Sequence, residues 1–373
     1  MDPVAYDYKN AFNKTFDGNG YTLSNLLINA NEDYNVGLFG TIKKANIGNL
    51  NINNINFNYS DKLPLRIGAF AGSIRDESKI SNIKINNVGE IRGVRIVGGF
   101  SGDIQESYIS NVMIDRIKSI IAINEGKHAS NAAAAGGFTG FNASVSYNNI
   151  ILKNIGEISL TNKISTVYTT YIGWFIGRSD QITTSERASE FKNIAIYDVG
   201  KLSLQGTYGN DSAYIGSFAG ALHSSKKENL QNIFIFLGEN SSFNVNWNNS
   251  RSKYYGKFIG ALNVGLVDFN NMHIYLKNGI LKDAYNDFHV SNDFNQYGYI
   301  QNKINIHTYT DETQESVYKD FLSKADTIEK PTTPDNPNQP SDSDVILASD
   351  DVISANDLNK WLGEIFGGNY WVD

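Results

Sequence analysis

Along most of the chain, apolar residues fall on alternate positions in short runs, and Asn or Gly breaks each run. Within "NIKINNVGEI" (82–91), Ile83 and Ile85 flank a lysine, and Val88 and Ile91 follow after polar interruptions. Short period-two runs bounded by Asn and Gly predict strands with one buried face. The pattern recurs. Asn, apolar, any residue, apolar appears from Asn25, Asn49, Asn82, Asn111, Asn149, Asn193, Asn232 and Asn271. A looser element follows as "NVGEI" (87–91), "NIGEI" (154–158) and "DVGKL" (198–202).

A second motif precedes these runs. "IGAFAGSI" (67–74), "VGGFSGDI" (97–104), "AGGFTGFN" (135–142), "IGWFIGRS" (172–179), "IGSFAGAL" (215–222) and "YGKFIGAL" (255–262) share G-x-F-x-G. "VGLFGTI" (36–42) is a shorter copy that reads as lacking one residue after its Phe. Gly37 and Gly68 are 31 residues apart, Gly68 and Gly98 are 30 apart, and later periods stretch to 43 between Gly173 and Gly216. Three short strands per repeat, joined by Asn and Gly corners, predict a three-sided coil. Stacked coils make an all-β fold, a parallel β-solenoid.

In the Phe motif the residue before Phe varies: Leu38, Ala69, Gly99, Gly137, Trp174, Ser217, Lys257. A slot that accepts Lys and Trp is expected to face outward, and Phe to face in. Phe39, Phe70, Phe100, Phe138, Phe175, Phe218 and Phe258 are then expected to stack as an interior aromatic ladder. The eight Asn residues are expected at corners as an amide ladder. Both sets read as structural.

The stretch between the Asn-led strand and the next glycine pair grows along the chain. The extra residues are "NEGKHASNAAA" (124–134), "TNKISTVYT" (161–169), "QGTYGNDSA" (205–213) and "NVNWNNSRSK" (244–253). In a solenoid such insertions emerge on one side and form a candidate binding face. Tyr208, Trp247, Arg251 and Tyr254 lie in or beside them and are the residue types that anchor partners.

After 282 the repeat weakens, so the solenoid is expected to occupy 1–310. Residues 311–328 carry Val317, Phe321, Leu322 and Ala325 at helical spacing, and are expected to cap the open end of the rod. Residues 329–344 are a proline-rich linker. Residues 345–373 read as a short helical tail leading into a following region.

Composition narrows the function. The chain has 373 residues, no cysteine and a net charge of -7, with a pI near 5.3. No cluster of Lys and Arg is visible in the sequence, so nucleic acid is not an expected partner. No long apolar stretch is present, so no membrane insertion is expected. The N-terminus lacks a signal-peptide pattern, which fits either a cytosolic protein or an excised piece of a longer secreted one; the aromatic ending "GGNYWVD" (367–373) favours the excised piece.

The residues "FDGNGYTLSNLLI" (16–28), "VGLFG" (36–40) with its six relatives, and the Asn-led strands resemble the GLUG-motif repeats of filamentous-haemagglutinin-like bacterial exoproteins. The resemblance covers about 14–282. It implies a right-handed parallel β-helix, secreted or on the bacterial cell surface, exported with an outer-membrane secretion partner. The chain departs from the family in using Phe where an aliphatic residue is common.

Chemistry is sparse. His128, His223, His273, His289 and His307 form no ligand-spaced pair, and no nucleophile elbow, phosphate loop or zinc signature occurs. Adjacent acids such as Asp76 and Glu77 fall in corners. No catalytic residue, metal site or cofactor is therefore expected. The leading expectation is a rigid, non-enzymatic adhesin segment that binds a host glycan or protein. A passive stalk in a toxin-type exoprotein is the first alternative, and a polysaccharide-active β-helix enzyme is the second.

Overall fold

A computed structural model describes residues 1–31, 35–125, 132–163, 169–182, 185, 187–206, 212–223, 226–247, 253–262, 267–281, 288–289 and 304–332. Three parallel sheets stack side by side, of 12, 8 and 7 strands. One coil passes through Lys79–Gly93 in the long sheet, Ile96–Gly98 in the first short sheet and Ser101–Gln105 in the second, then re-enters the long sheet at Tyr108–Asn124. This is a three-sided parallel β-helix, and the apolar runs register coil on coil. Ile83 pairs with Val112, Val112 with Ile150, Ile150 with Ile194, Ile194 with Ile233 and Ile233 with Met272, all fully buried.

The strands of the long sheet bend at residues in the left-handed region. Asn25, Asn49, Asn82, Asn111, Asn149, Asn193, Asn232 and Asn271 all have φ between 51° and 58°. Asn tolerates this conformation better than other non-glycine residues. One left-handed residue resets the alternation, so Ile80 and Ile83 both point into the core although three positions apart. From Asn82 to Asn271 each amide donates to the Oδ1 of the Asn one coil earlier, at 2.8–3.1 Å.

Asn25 is the exception to the expected series. The strand Thr22–Ala30 pairs Leu26 with Ile55, which sets Asn25 beside Asn54; the Asn54 amide donates to Asn25 at 2.7 Å. Asn25 therefore belongs to a second left-handed corner, with Asn54, Asn87, Arg116, Asn154 and Asp198 at φ 53–69°. In the first corner, Asp17 takes the terminal place and accepts from Asn49. "NLLI" (25–28) is the second half of an opening coil, which sequence similarity alone does not distinguish from the first half.

The Phe rings form an interior stack. Phe70–Phe100, Phe100–Phe138, Phe138–Phe175, Phe175–Phe218 and Phe218–Phe258 have centroids 4.7–5.2 Å apart and planes within 25°. Phe39 lies 5.4 Å from Phe70 but is tilted by 55°. Its backbone pairs with Ala71 rather than Phe70. The residue missing from this first copy is thus before the Phe, not after it, and the ring reaches the ladder from one position along the strand.

The slot before Phe does not face outward. Ala69, Gly99, Gly137, Trp174 and Ser217 are buried, and Lys257 is half-buried. Alternation presumes extended backbone, whereas this residue and the Phe lie in a bend between two strands and both turn inward. Variation here answers the core: the Trp174 ring sits 5.5 Å from Phe243. The last glycine of the motif closes the corner. A Cβ on Gly72 would lie 2.4 Å from the Val36 nitrogen, and one on Gly260 2.5 Å from the Ile215 nitrogen. The two short sheets are therefore folded tightly against each other.

The ends are treated differently. Residues 1–14 run along the exposed edge of the first coil: Val4 bridges Phe39, Phe12 bridges Ile42, and the terminal amine donates to the Leu27 carbonyl. At the other end, the helix Gln314–Ala325 does not cap the rod. It packs on the outer flank of the long sheet, where Phe321, Ala325 and Ile328 cover Ile151, Ala195, Phe234, Phe236, Tyr275 and Tyr309. Beyond it Glu329 accepts from Asn149, four coils back from the final described strand Asn305–Tyr309. The tail 345–373 and most of the linker lie outside the described residues.

Candidate functional site

The four insertions leave the same corner of successive coils. The chain departs from the long sheet at Asn124, Asn162, Gly206 and Trp247 and enters the first short sheet at Ala133, Thr170, Ala213 and Lys253. In the preceding coil the same passage, from Gly93 to Ile96, takes only two residues. The stacked strands thus bring the four insertions to one edge of the rod. Tyr208, Arg251, and the side chains of Trp247 and Tyr254, lie outside the described residues. The backbone of Trp247 pairs with Gly206 and that of Tyr254 with Tyr214.

A groove opens at the foot of the first insertion, where the outward faces of the two short sheets meet. It has a volume of about 190 Å³ and is lined by Arg66, Arg95, Ile96, Asp103, Ala132, Ala134, Phe141 and Arg178, with Gln105 at its side. Arg66, Ile96 and Ala134 occupy one register position on three consecutive coils; Asp103, Phe141 and Arg178 occupy another. The tight fold at the glycines brings the two rows together.

The polar network in the groove is uneven. Asp103 is almost wholly buried and accepts from Ser73 Oγ at 2.6 Å, Arg66 Nε at 3.0 Å and Arg75 Nη2 at 2.6 Å. Arg178 forks onto Asp180 at 3.0 and 2.7 Å and lies 5.0 Å over the Tyr171 ring. Burial pushes the Asp180 carboxyl up, and Arg178 opposes that shift. His223 packs edge-on to Tyr171 and Tyr214. Burial, reinforced by Arg178, pushes it down to about 3, so its contact with Asp180 at 3.8 Å is not an ion pair near neutral pH.

Arg95 stands apart. Its Nε donates to the Ala132 carbonyl at 2.8 Å, at the foot of the first insertion. Burial, together with Arg66 and Arg178, lowers its pKa, and Asp103 is the carboxylate that opposes this. The sequence hid this cluster because Arg66, Arg95 and Arg178 are far apart along the chain. The usable signal was an Arg shortly before the motif glycine in two consecutive repeats, "RIG" (66–68) and "RIVG" (95–98).

Two further groups lie outside the groove, one inside the rod and one on its flank. Glu228 is fully buried and accepts from Ser179 Oγ at 3.1 Å, while its Oε2 has no partner among the described residues. Burial pushes its carboxyl up to about 8, so it is a neutral acid at neutral pH. On the flank, His273 and His307 stack at 5.1 Å with ring nitrogens 2.8 Å apart, under the helix. Among the described residues no group of three or more His, Asp or Glu converges as a metal site, and no helix is long and apolar enough to cross a membrane.

No protein-family profile matches the chain. A stretch of 105 residues, 28% of the chain, is 29% identical to halomucin of Haloquadratum walsbyi. That match spans 1% of halomucin's length. No solved structure matches.

Proposed function

We propose that this chain is a rigid, non-enzymatic display segment of a secreted or cell-surface bacterial exoprotein, an adhesin that binds a glycan or protein through one edge of the rod. The observation that carries the reading is the position of the four insertions. Each interrupts a different coil, yet all leave from one corner. A parallel β-helix gains nothing in core burial from lengthening one corner repeatedly, whereas a lateral binding face needs adjacent loops held in register. The likeness of the repeats to GLUG-motif exoproteins supports the extracellular setting, and export through an outer-membrane partner follows from the same likeness.

The test is binding of the whole chain to a glycan array and to cultured epithelial cells. It is compared with a variant in which 125–132, 163–169, 207–212 and 248–252 are each replaced by a two-residue link. Saturable binding by the native chain that disappears in the variant, with the β-rich spectrum unchanged, supports the proposal. No binding by the native chain favours a passive stalk, and turnover of a polysaccharide favours the enzymatic reading.

A further inference from the structure

We propose that the groove between the two short sheets is a subsite for an anionic glycan, with Arg95 the principal contact for a uronate carboxylate and Arg66 and Arg178 flanking it. This rests on the display reading and specifies its ligand class.

The argument begins with charge. Arg66, Arg95 and Arg178 line the groove with a single carboxylate, Asp103; Arg75 also binds Asp103, and Asp180 pairs with Arg178 beside it. Asp103 serves two guanidiniums at once, and Asp180 serves Arg178. Arg95 has only a backbone carbonyl, which leaves its remaining N–H donors directed at no carboxylate among the described residues. Gathering a surplus of guanidinium in a chain of net charge -7 is unfavourable unless an anion compensates it. A guanidinium fork matches a carboxylate in a bidentate manner, and the pairing of Arg178 with Asp180 shows that geometry already in use here.

Shape then selects a polymer over a small anion. Arg66 and Arg178 belong to coils three steps apart, about 14 Å at the spacing of roughly 4.8 Å per coil. The groove therefore presents positive charge along the rod axis, which suits a chain bearing an acid group on successive sugars. Ile96, Ala134 and the half-buried Phe141 supply apolar walls against which a sugar ring packs. The Ala132 carbonyl ties Arg95 to the base of the first insertion, so the subsite is continuous with the displayed edge.

The whole chain is titrated calorimetrically with tetragalacturonate, its fully methyl-esterified form and inorganic sulfate, at 50 and 200 mM salt. The proposal expects saturable binding of tetragalacturonate, weakened severalfold at the higher salt and at least tenfold by esterification, and no comparable affinity for sulfate. Arg95→Gln weakens binding by at least tenfold and Arg95→Lys recovers part of it, with thermal midpoints recorded for both. If Arg95→Gln does not fold, the ester comparison on the native chain decides. Equal binding of acid and ester, equal affinity for sulfate, no binding of tetragalacturonate, or a folded Arg95→Gln with unchanged affinity overturns the subsite. If tetragalacturonate fails while insertion-dependent binding to cells or other glycans persists, only this inference falls. Loss of both removes the display reading as well.

Discussion

The ring of Phe70 lies face to face with that of Phe100, with centroids 4.8 Å apart and planes 5° apart, one full coil away in sequence. Each ring in the middle of this ladder is packed on both sides, and Phe100 also stacks on Phe138 at 4.7 Å. Truncation here removes a fully buried ring that neighbouring coils, fixed by their strand pairing, are poorly placed to refill. Phe100→Ala is expected to cost about 3–5 kcal/mol, and Phe100→Leu, which leaves a smaller void but still loses both ring stacks, less than that. Guanidinium unfolding measures both. An Ala variant with a midpoint close to that of the native chain would show that the ladder is ornamental.

The Asn corner combines two contributions that substitution separates. Asn111 has φ 51°, donates to Asn82 at 3.1 Å and accepts from Asn149 at 2.9 Å. Ala at this position loses the amide bonds and incurs left-handed strain of about 1–2 kcal/mol. Gly loses the bonds but removes the strain. Asn111→Gly is thus expected to be more stable than Asn111→Ala by about 1 kcal/mol, the reverse of ordinary strand preference. Thermal midpoints of the two variants check the order, and the opposite ranking would refute a left-handed corner.

How far these features could be read in advance depends on whether each is local. The Phe spacing announces a stack because six of the seven copies carry their own G-x-F-x-G. Alternation does not place Trp174 correctly, because it holds only on extended backbone and Trp174 sits in a bend. Asn25 resembles Asn49 in sequence because the two corners use the same local pattern; only the pairing of Leu26 with Ile55 separates them. The arginine groove depends on contacts between different coils, so no single stretch carries it. The flank under the helix did leave a trace. In "NIFIFL" (232–237) apolar residues run without interruption, unlike "NIKI" (82–85), as befits a strand covered on both faces.

That covered flank predicts a local rather than a global failure. Phe321 is fully buried, with Tyr197, Phe236 and Tyr275 within 5.4–5.6 Å. Because the helix lies outside the coil stack, Phe321→Ala is expected to detach it while the rod remains folded. Trypsin should then cut at Lys319 and Lys324 much faster than in the native chain, with the midpoint of the main unfolding transition little changed. Collapse of the whole rod in this variant would mean that the helix supports the coils.

Inside the rod, Glu228 makes stability depend on pH in a direction opposite to most carboxylates. Its folded value, about 8, lies above its ordinary value of 4.5 because burial disfavours the anion more than Ser179 favours it. Between those values the folded state holds the proton that the unfolded state releases. The stabilisation from this group is therefore complete below about 4.5 and is lost as pH rises through about 8. His223 acts in the other sense. Its folded value, about 3, lies below the ordinary 6.5, so its contribution is complete above 6.5 and declines as pH falls toward 3. Glu228→Gln keeps the shape and can still accept from Ser179 but does not ionise. Its thermal midpoint is expected to match the native chain at pH 5 and to exceed it at pH 8.5. A series of scans from pH 5 to 9 checks this, and parallel curves for the two proteins would show that Glu228 is already ionised inside the fold.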